Sequence, residues 1–256
     1  MAVTLSVANQ KGGVGKTTTA VNLSAALKTI NKRVLMIDID PQGNATMGCG
    51  IDKHDLKNAT CELLLGECSI EEAIVRSETV GIDVIPSNTD LIAAEIALVK
   101  NGNSEYLLKE ALAKVQAQYN YIIIDCPPSL NMLTINAFTA SDGILIPMQC
   151  EYYALEGLSA LIQTIEKIQA TTNPDLEITG LVRTMYDTRN RLSNEVSVQL
   201  QQYFSQKVFK TIIPRNVKLA EAPSFGRSAI NYARSSKGAI SYVSLASEIV
   251  RKTKTV

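Results

Sequence analysis

Residues 9–19 read Asn9-Gln10-Lys11-Gly12-Gly13-Val14-Gly15-Lys16-Thr17-Thr18-Thr19, and no other run constrains the fold as strongly. A short β-type run, Val3 to Ala8, precedes it, and a helix-period run from Ala20 to Leu27 follows. Strand, glycine loop and helix in that order make a phosphate cradle. Glycines let backbone N–H groups converge on phosphate oxygens, and the helix N-terminus adds a partial positive charge. In such a loop Lys16 reaches the β- and γ-phosphates and the Thr17 hydroxyl ligates Mg²⁺. The plain pattern G-x-x-x-x-G-K-[ST] would put glycine at position 10, where Gln10 stands. The sequence has K-G-G-x-G-K-T-T instead, with a second lysine, Lys11, five residues before Lys16.

The rest of the chain agrees with an α/β domain. Its 256 residues suffice for one sizeable core, and 46% apolar content with no Trp and only 5% aromatics makes that core aliphatic. β-type runs fall at 3–8, 33–38, 81–86, 121–125, 142–147, 177–184 and 207–213. Most are dense in Val, Ile and Leu without polar alternation, as strands buried on both faces are. Helical patterns lie between them, at roughly 17–30, 69–77, 90–98, 103–118, 130–140, 155–170, 190–205 and 237–251. The repeated order predicts one domain over 1–256, a mostly parallel twisted sheet with helices on both faces. Ligands then belong at the carboxyl ends of the strands.

Three motifs fall at those ends. Besides the glycine loop, Tyr121-Ile122-Ile123-Ile124-Asp125 is an apolar strand ending in one carboxylate, placed to face Mg²⁺ directly or through a water. Asp38-Ile39-Asp40 carries two acids at i and i+2, and continued strand geometry would put both on one side. One would then order metal-bound water and the other the attacking water; the alternative is a capped turn before Pro41. Lys11, crowded beside Lys16 and three phosphates, is placed to reach its own nucleotide or one in a second subunit. A cation supplied in trans is worth about 10³–10⁵ in rate in related phosphoryl transfers.

Net charge is zero, yet its distribution is lopsided. Residues 1–175 hold 12 Lys/Arg and 20 Asp/Glu, whereas 176–256 hold 13 and 5. That asymmetry is compatible with a basic face for an anionic polymer and equally with an ordinary solvated surface. Five cysteines without C-x-x-C spacing fit reduced thiols in a cytosol better than disulfides or a zinc site. No run reaches the roughly 20 apolar residues of a membrane span, and the N-terminus lacks the charged region of a signal peptide. The single histidine, His54, lies in a polar stretch and supports no catalytic role.

The deviant loop together with Asp38-Ile39-Asp40-Pro41-Gln42-Gly43-Asn44, I-I-I-D-C-P-P-S-L (122–130), Q-C-E-Y-Y-A-L-E-G (149–157) and I-P-R-N-V-K-L-A-E-A-P-S (213–224) resembles the ParA/Soj family of partitioning ATPases, with their deviant Walker A loop. The likeness runs through essentially the whole chain. It implies a weak Mg²⁺-dependent ATPase, cytoplasmic and nucleoid-associated, whose ATP form is a sandwich homodimer. Lys11 matches the lysine that crosses to the partner's phosphates. Loop residues Gly12, Gly13, Val14, Gly15, Lys16, Thr17 and Thr18 match the nucleotide cradle. Asp40 matches the acid that positions the hydrolytic water, and Asp125 the Mg²⁺-side acid; Asp38 is a further candidate on the metal side. Pro214 and Asn216 match adenine contacts. Arg189 and Lys218 fall where the family carries basic residues that touch double-stranded DNA without sequence preference. A ParB-type centromere-binding partner would stimulate hydrolysis and release the DNA.

Two further expectations separate branches of that family. The loop begins at residue 9, so no N-terminal helix-turn-helix domain is expected in this chain. A MinD-like membrane regulator, the alternative reading, would need a terminal amphipathic helix. Ile240, Val243, Ala246, Ile249 and Val250 make only a modest stripe, expected to dock on the sheet, so no stable membrane association is expected. Cys126 lacks the glycine-flanked setting of iron–sulfur relatives. Tyr152-Tyr153 suit packing or an interface better than base stacking.

Overall fold

The structure, a computed structural model, describes residues 2–100, 104–152 and 154–253. Tyr153 and the first residue of the helix expected from 103 lie outside them. The chain begins with β1 (Val3–Val7), α1 (Lys16–Thr29), β2 (Val34–Asp38), α2 (Asn44–Gly48), α3 (Thr60–Leu65) and α4 (Ile70–Ala73). It continues with β3 (Val75–Ser77), β4 (Ile82–Ile85), α5 (Leu91–Lys100), α6 (Leu107–Ala113), β5 (Tyr121–Asp125), α7 (Met132–Thr139) and β6 (Gly143–Gln149). The last third holds α8 (Ala154–Thr171), β7 (Glu177–Tyr186), α9 (Arg191–Phe204), β8 (Val208–Pro214), α10 (Val217–Glu221), α11 (Ala229–Tyr232) and α12 (Lys237–Thr253).

One sheet runs in the order β3-β4-β2-β5-β1-β6-β7-β8. Every pairing is parallel except β3 with β4. From β1 the chain first builds outward on one side and later, through β6, on the other. The crevice at the carboxyl end of β1 is therefore the switch point where α/β sheets take ligands.

Strands without polar alternation are explained by the two cores they serve. In β5, Ile122 and Ile124 pack into one hydrophobic cluster with α5 to α8, while Tyr121 and Ile123 pack into the other with α1 and α12. Successive side chains of a strand point to opposite faces, so both sets must be apolar here.

The expected helix at 69–77 is cut short. Ser69 and Glu72 form a capping box that starts α4, but Val75 pairs with Val84 and Arg76 with Asp83, and the chain turns into edge strand β3. Cross-strand pairing overrode a four-residue helix. The expected helix at 103–118 is three pieces, two 3₁₀ turns flanking α6. Short helices α2, α3, α10 and α11 fall where no helix is expected from periodicity. The stripe on α12 is also shifted. Ala239, Tyr242, Leu245, Ala246 and Ile249 are buried against the sheet and α1, with the Tyr242 hydroxyl 3.0 Å from Thr19 Oγ1, whereas Ile240 points outward.

Gly180 marks a tight sheet contact. A Cβ there would lie 2.5 Å from Phe209 Cε2 and 2.6 Å from the Lys207 carbonyl oxygen. Gly180→Ala must push β8 from β7, an overpacking expected to cost about 2 kcal/mol. For a chain of this size that lowers the thermal midpoint by about 4–8 °C. An unchanged midpoint in a melting experiment would contradict the packing.

Candidate active site

The glycine loop closes over the N-terminus of α1. Gly15 occupies the N-cap position at φ 90°, a left-handed conformation that a side chain would strain, and no side chain caps the helix. The first N–H groups of α1 are thus left for a ligand. A cavity of about 550 Å³ opens there, lined by Gly12, Gly13, Gly15, Lys16, Thr17 and Thr18 from the loop. Asp40, Pro214 and Asn216 line it as well. Val14 is buried under the loop, 1% exposed.

Lys16 is a buried cation. Its ammonium donates to the Lys11 carbonyl at 3.2 Å. Burial lowers its pKa, and the charges of Asp125 and Asp40 oppose that shift. Lys11 instead turns to the rim, its ammonium 2.5 Å from Glu151 Oε2 in a half-exposed ion pair. Its backbone N–H donates to Asn9 Oδ1, and the Asn9 amide is fixed in turn to the Pro147 carbonyl at the end of β6.

Strand geometry does not continue through Asp38 and Asp40, and of the two only Asp40 lines the cavity. The strand stops at Asp38, and the Asp40 N–H folds back onto Asp38 Oδ1 at 3.1 Å. Asp38 Oδ2 accepts from both the N–H and the hydroxyl of Thr46, each at 2.8 Å. Asp38 is thus fully buried, spent on holding α2, and burial pushes its carboxyl up to about 6. Asp40 alone lines the cavity. Its backbone is pinned by the Ser87 hydroxyl on its carbonyl, and its Oδ1 accepts from the Gln42 N–H.

Asp125 ends β5 beside both neighbours, in register with Asp38 on one side and Val7 on the other. It is fully buried, and neither carboxylate oxygen has a hydrogen-bond partner. Burial foremost, then the charge of Asp38, raises its pKa well above the carboxylate range, while the nearby Thr17 side chain and the Lys16 charge act the other way. A buried, unpartnered carboxyl group stays neutral until a cation, or a water held by one, arrives to pair its charge. Among the described residues no three His, Cys, Asp or Glu side chains gather to bind a metal alone. That donor set fits Mg²⁺, which takes one or two protein oxygens and completes its shell with phosphate and water.

Arg189 and Lys218 lie outside the cavity. Arg189, with its side chain 88% exposed, forks onto Asp187 through Nε and Nη2 at 3.0 and 2.8 Å. Those bonds pull the Asp187 carboxyl down to about 2. Lys218 pairs with Glu221 at 2.9 Å over the Tyr232 ring. Each is tied to the cavity by a short stretch of chain, since Met185 and Asn216 line the cavity.

Cavity-lining Thr184, Met185, Arg215 and Tyr242 were not expected as site residues. Thr184 carried a signal, because it ends a strand legible at 177–184 and strand ends are where ligands sit. Met185, at φ 48° in the left-handed region, carried none. His54 is exposed, and all five cysteines are free thiols.

A parallel α/β sheet with a glycine loop, a buried lysine and an unpartnered acid at its switch point defines a P-loop nucleotide hydrolase. The AAA domain family matches residues 2–178. The sporulation initiation inhibitor protein Soj of Bacillus subtilis is 51% identical over 96% of this chain and 97% of its own. The chromosome partitioning protein ParA of Caulobacter vibrioides is 47% identical over 98% and 94%. Among solved structures, cobyrinic acid a,c-diamide synthase from Mycobacterium smegmatis with bound ADP and magnesium is 39% identical at a TM-score of 0.88, covering 100% of this chain and 96% of that one. The chain belongs to the ParA/Soj family of partitioning ATPases. No described helix is long and apolar enough to cross a membrane.

Proposed function

We propose that the chain is an ATP-switched, DNA-binding partition protein, acting as one ParA-like unit over residues 1–256. The observation that carries this reading is the placement of the two exposed basic residues. Arg189 and Lys218 sit on the segments that leave the nucleotide cavity at Met185 and Asn216. Nucleotide and polyanion would thus share elements, as a switch requires. In the ATP state Lys11 leaves Glu151 and reaches the phosphates of a second copy, which gives a homodimer with a doubled basic face. On this reading a ParB-type centromere-binding protein would stimulate turnover, and the protein would be cytoplasmic and nucleoid-associated.

Each residue then has one task. Loop N–H groups and Lys16 hold the phosphates, and Pro214 and Asn216 flank the adenine. Thr17 and Asp125 would hold Mg²⁺, which when bound would neutralise phosphate charge. Asp38 keeps α2 and the Asp40 backbone in place beside them. Asp40 orients the attacking water and accepts its proton.

DNA contacts would replace the exposed ion pairs of Arg189 and Lys218. Such pairs are worth about 0–1 kcal/mol, so phosphates displace the carboxylates readily. With ATP present, Arg189→Ala should weaken binding to random-sequence duplex. In a dimer it should also reduce the slope of log affinity against log salt by about 2. Titrations at two salt concentrations check this, and an unaltered affinity and slope would remove Arg189 from the DNA face.

The synthase name carried by the M. smegmatis structure raises a second reading, ATP-dependent amidation of a metabolite. The partition relatives are more identical to this chain. Turnover that depended on a corrinoid acid and not on DNA or a partner protein would favour amidation. The membrane-regulator reading has less support, because the apolar side of α12 is buried in the fold.

A further inference from the structure

We infer that Thr184 is a positioning residue for nucleotide binding, acting through one peptide plane of the glycine loop. Its hydroxyl, at the carboxyl end of β7, donates to the Val14 carbonyl at 2.7 Å. This hydrogen bond is buried and joins residues 170 apart in sequence. A trans peptide is planar, so its C=O and the following N–H point in opposite directions. Anchoring the Val14 carbonyl on Thr184 therefore aims the Gly15 N–H away from β7. Gly15 lines the cavity and begins α1, where backbone N–H groups cradle the α- and β-phosphates.

Two further features belong to this junction. Gly15 carries no Cβ, and one built there would touch Thr184 Cβ and Cγ2 at 3.9 Å, so the two residues are in van der Waals contact range. Met185, next in the chain, is held at φ 48°. A non-glycine residue persists there only where its surroundings impose it. Losing the Thr184 hydroxyl leaves the Val14 carbonyl buried without its donor, and the peptide is then free to turn toward another partner. The lost geometry is common to ADP and ATP, because both carry the α- and β-phosphates.

This inference rests on the cavity being the nucleotide site, and its test separates the two ideas. Dissociation constants for ADP and ATP would be measured by calorimetry for wild type, Thr184→Val and Thr184→Ser, with KM and kcat for ATP. Tight nucleotide binding by wild type confirms the site. Thr184→Val should then weaken ADP and ATP alike by about tenfold and raise KM with kcat within about threefold. Thr184→Ser, which keeps the donor, should stay within about threefold of wild type. If valine does not pack beside Gly15, Thr184→Ala gives the same comparison. Thr184→Val binding both nucleotides as wild type does, even with a lowered thermal midpoint, would overturn the inference. Equal weakening by serine and valine would overturn it too, because the hydroxyl would then not be the cause.

Discussion

Lys16→Ala should abolish nucleotide binding while leaving the fold intact. The ammonium makes one hydrogen bond to the protein, onto the Lys11 carbonyl, so little native structure depends on it. It is nonetheless buried, and the charges that act on it are the acids Asp125 and Asp40, while the other cation lining the cavity, Arg215, lies beside Pro214 after β8. Without it the phosphates of ATP would approach those carboxylates with no fixed cation between. Removal of one such clamp typically costs about 10²–10³ in rate, and ground-state binding should fall with it. The check is a thermal shift with ADP. A ligand at 100 times its dissociation constant stabilises by about 2.7 kcal/mol, which for a chain this long raises the midpoint by about 5–10 °C. Wild type should show that rise and Lys16→Ala none. A rise in the variant equal to that of wild type would mean that Lys16 does not touch the nucleotide.

Asp40→Ala should separate binding from turnover. Asp40 enters the cavity, yet its backbone is held independently by Asp38 through the N–H and by Ser87 and Gly43 through the carbonyl. Removing the side chain gives up one turn-stabilising bond from Gln42 and leaves the chain in place. Loss of a positioned base typically lowers rate by about 10²–10⁴, whereas nucleotide affinity should stay within about threefold. The ATP complex, unable to reset, should persist as a DNA-bound dimer. Single-turnover hydrolysis and sedimentation velocity read the two halves. Turnover at the wild-type rate would remove Asp40 from the chemistry and leave Asp38 or Asp125 to be considered.

Legibility of the site followed the physics of each segment. The glycine loop, β1 and α1 were plain because a phosphate cradle needs glycine and lysine at fixed positions in a fixed context. Asp125 was plain because an apolar strand ends on it. For Asp38 and Asp40 the sequence left continued strand and capped turn both open, and the structure has the turn. The strand stops at Asp38 and the Asp40 N–H bonds back to its carboxylate, which Thr46 and α2 hold from eight residues away. Edge strand β3 was missed because its register comes from β4, and the 69–77 run has no strand signal strong enough to override the capping box at Ser69. The cavity's far wall, with Thr184 and Met185, depends on β7 lying two strands from β1. That placement is a property of the sheet order, which local periodicity does not encode.

The most direct measurement is binding of the unmodified protein to random-sequence duplex DNA with ATP, with ADP and without nucleotide. ATP-dependent, salt-sensitive binding, absent with ADP, is the expected result. It would join the cavity at the end of β1 to the basic segments after β7 and β8 as one switch. Equal binding in all three states, or none in any, would contradict the switch. The cavity would then be an ATP site serving another task.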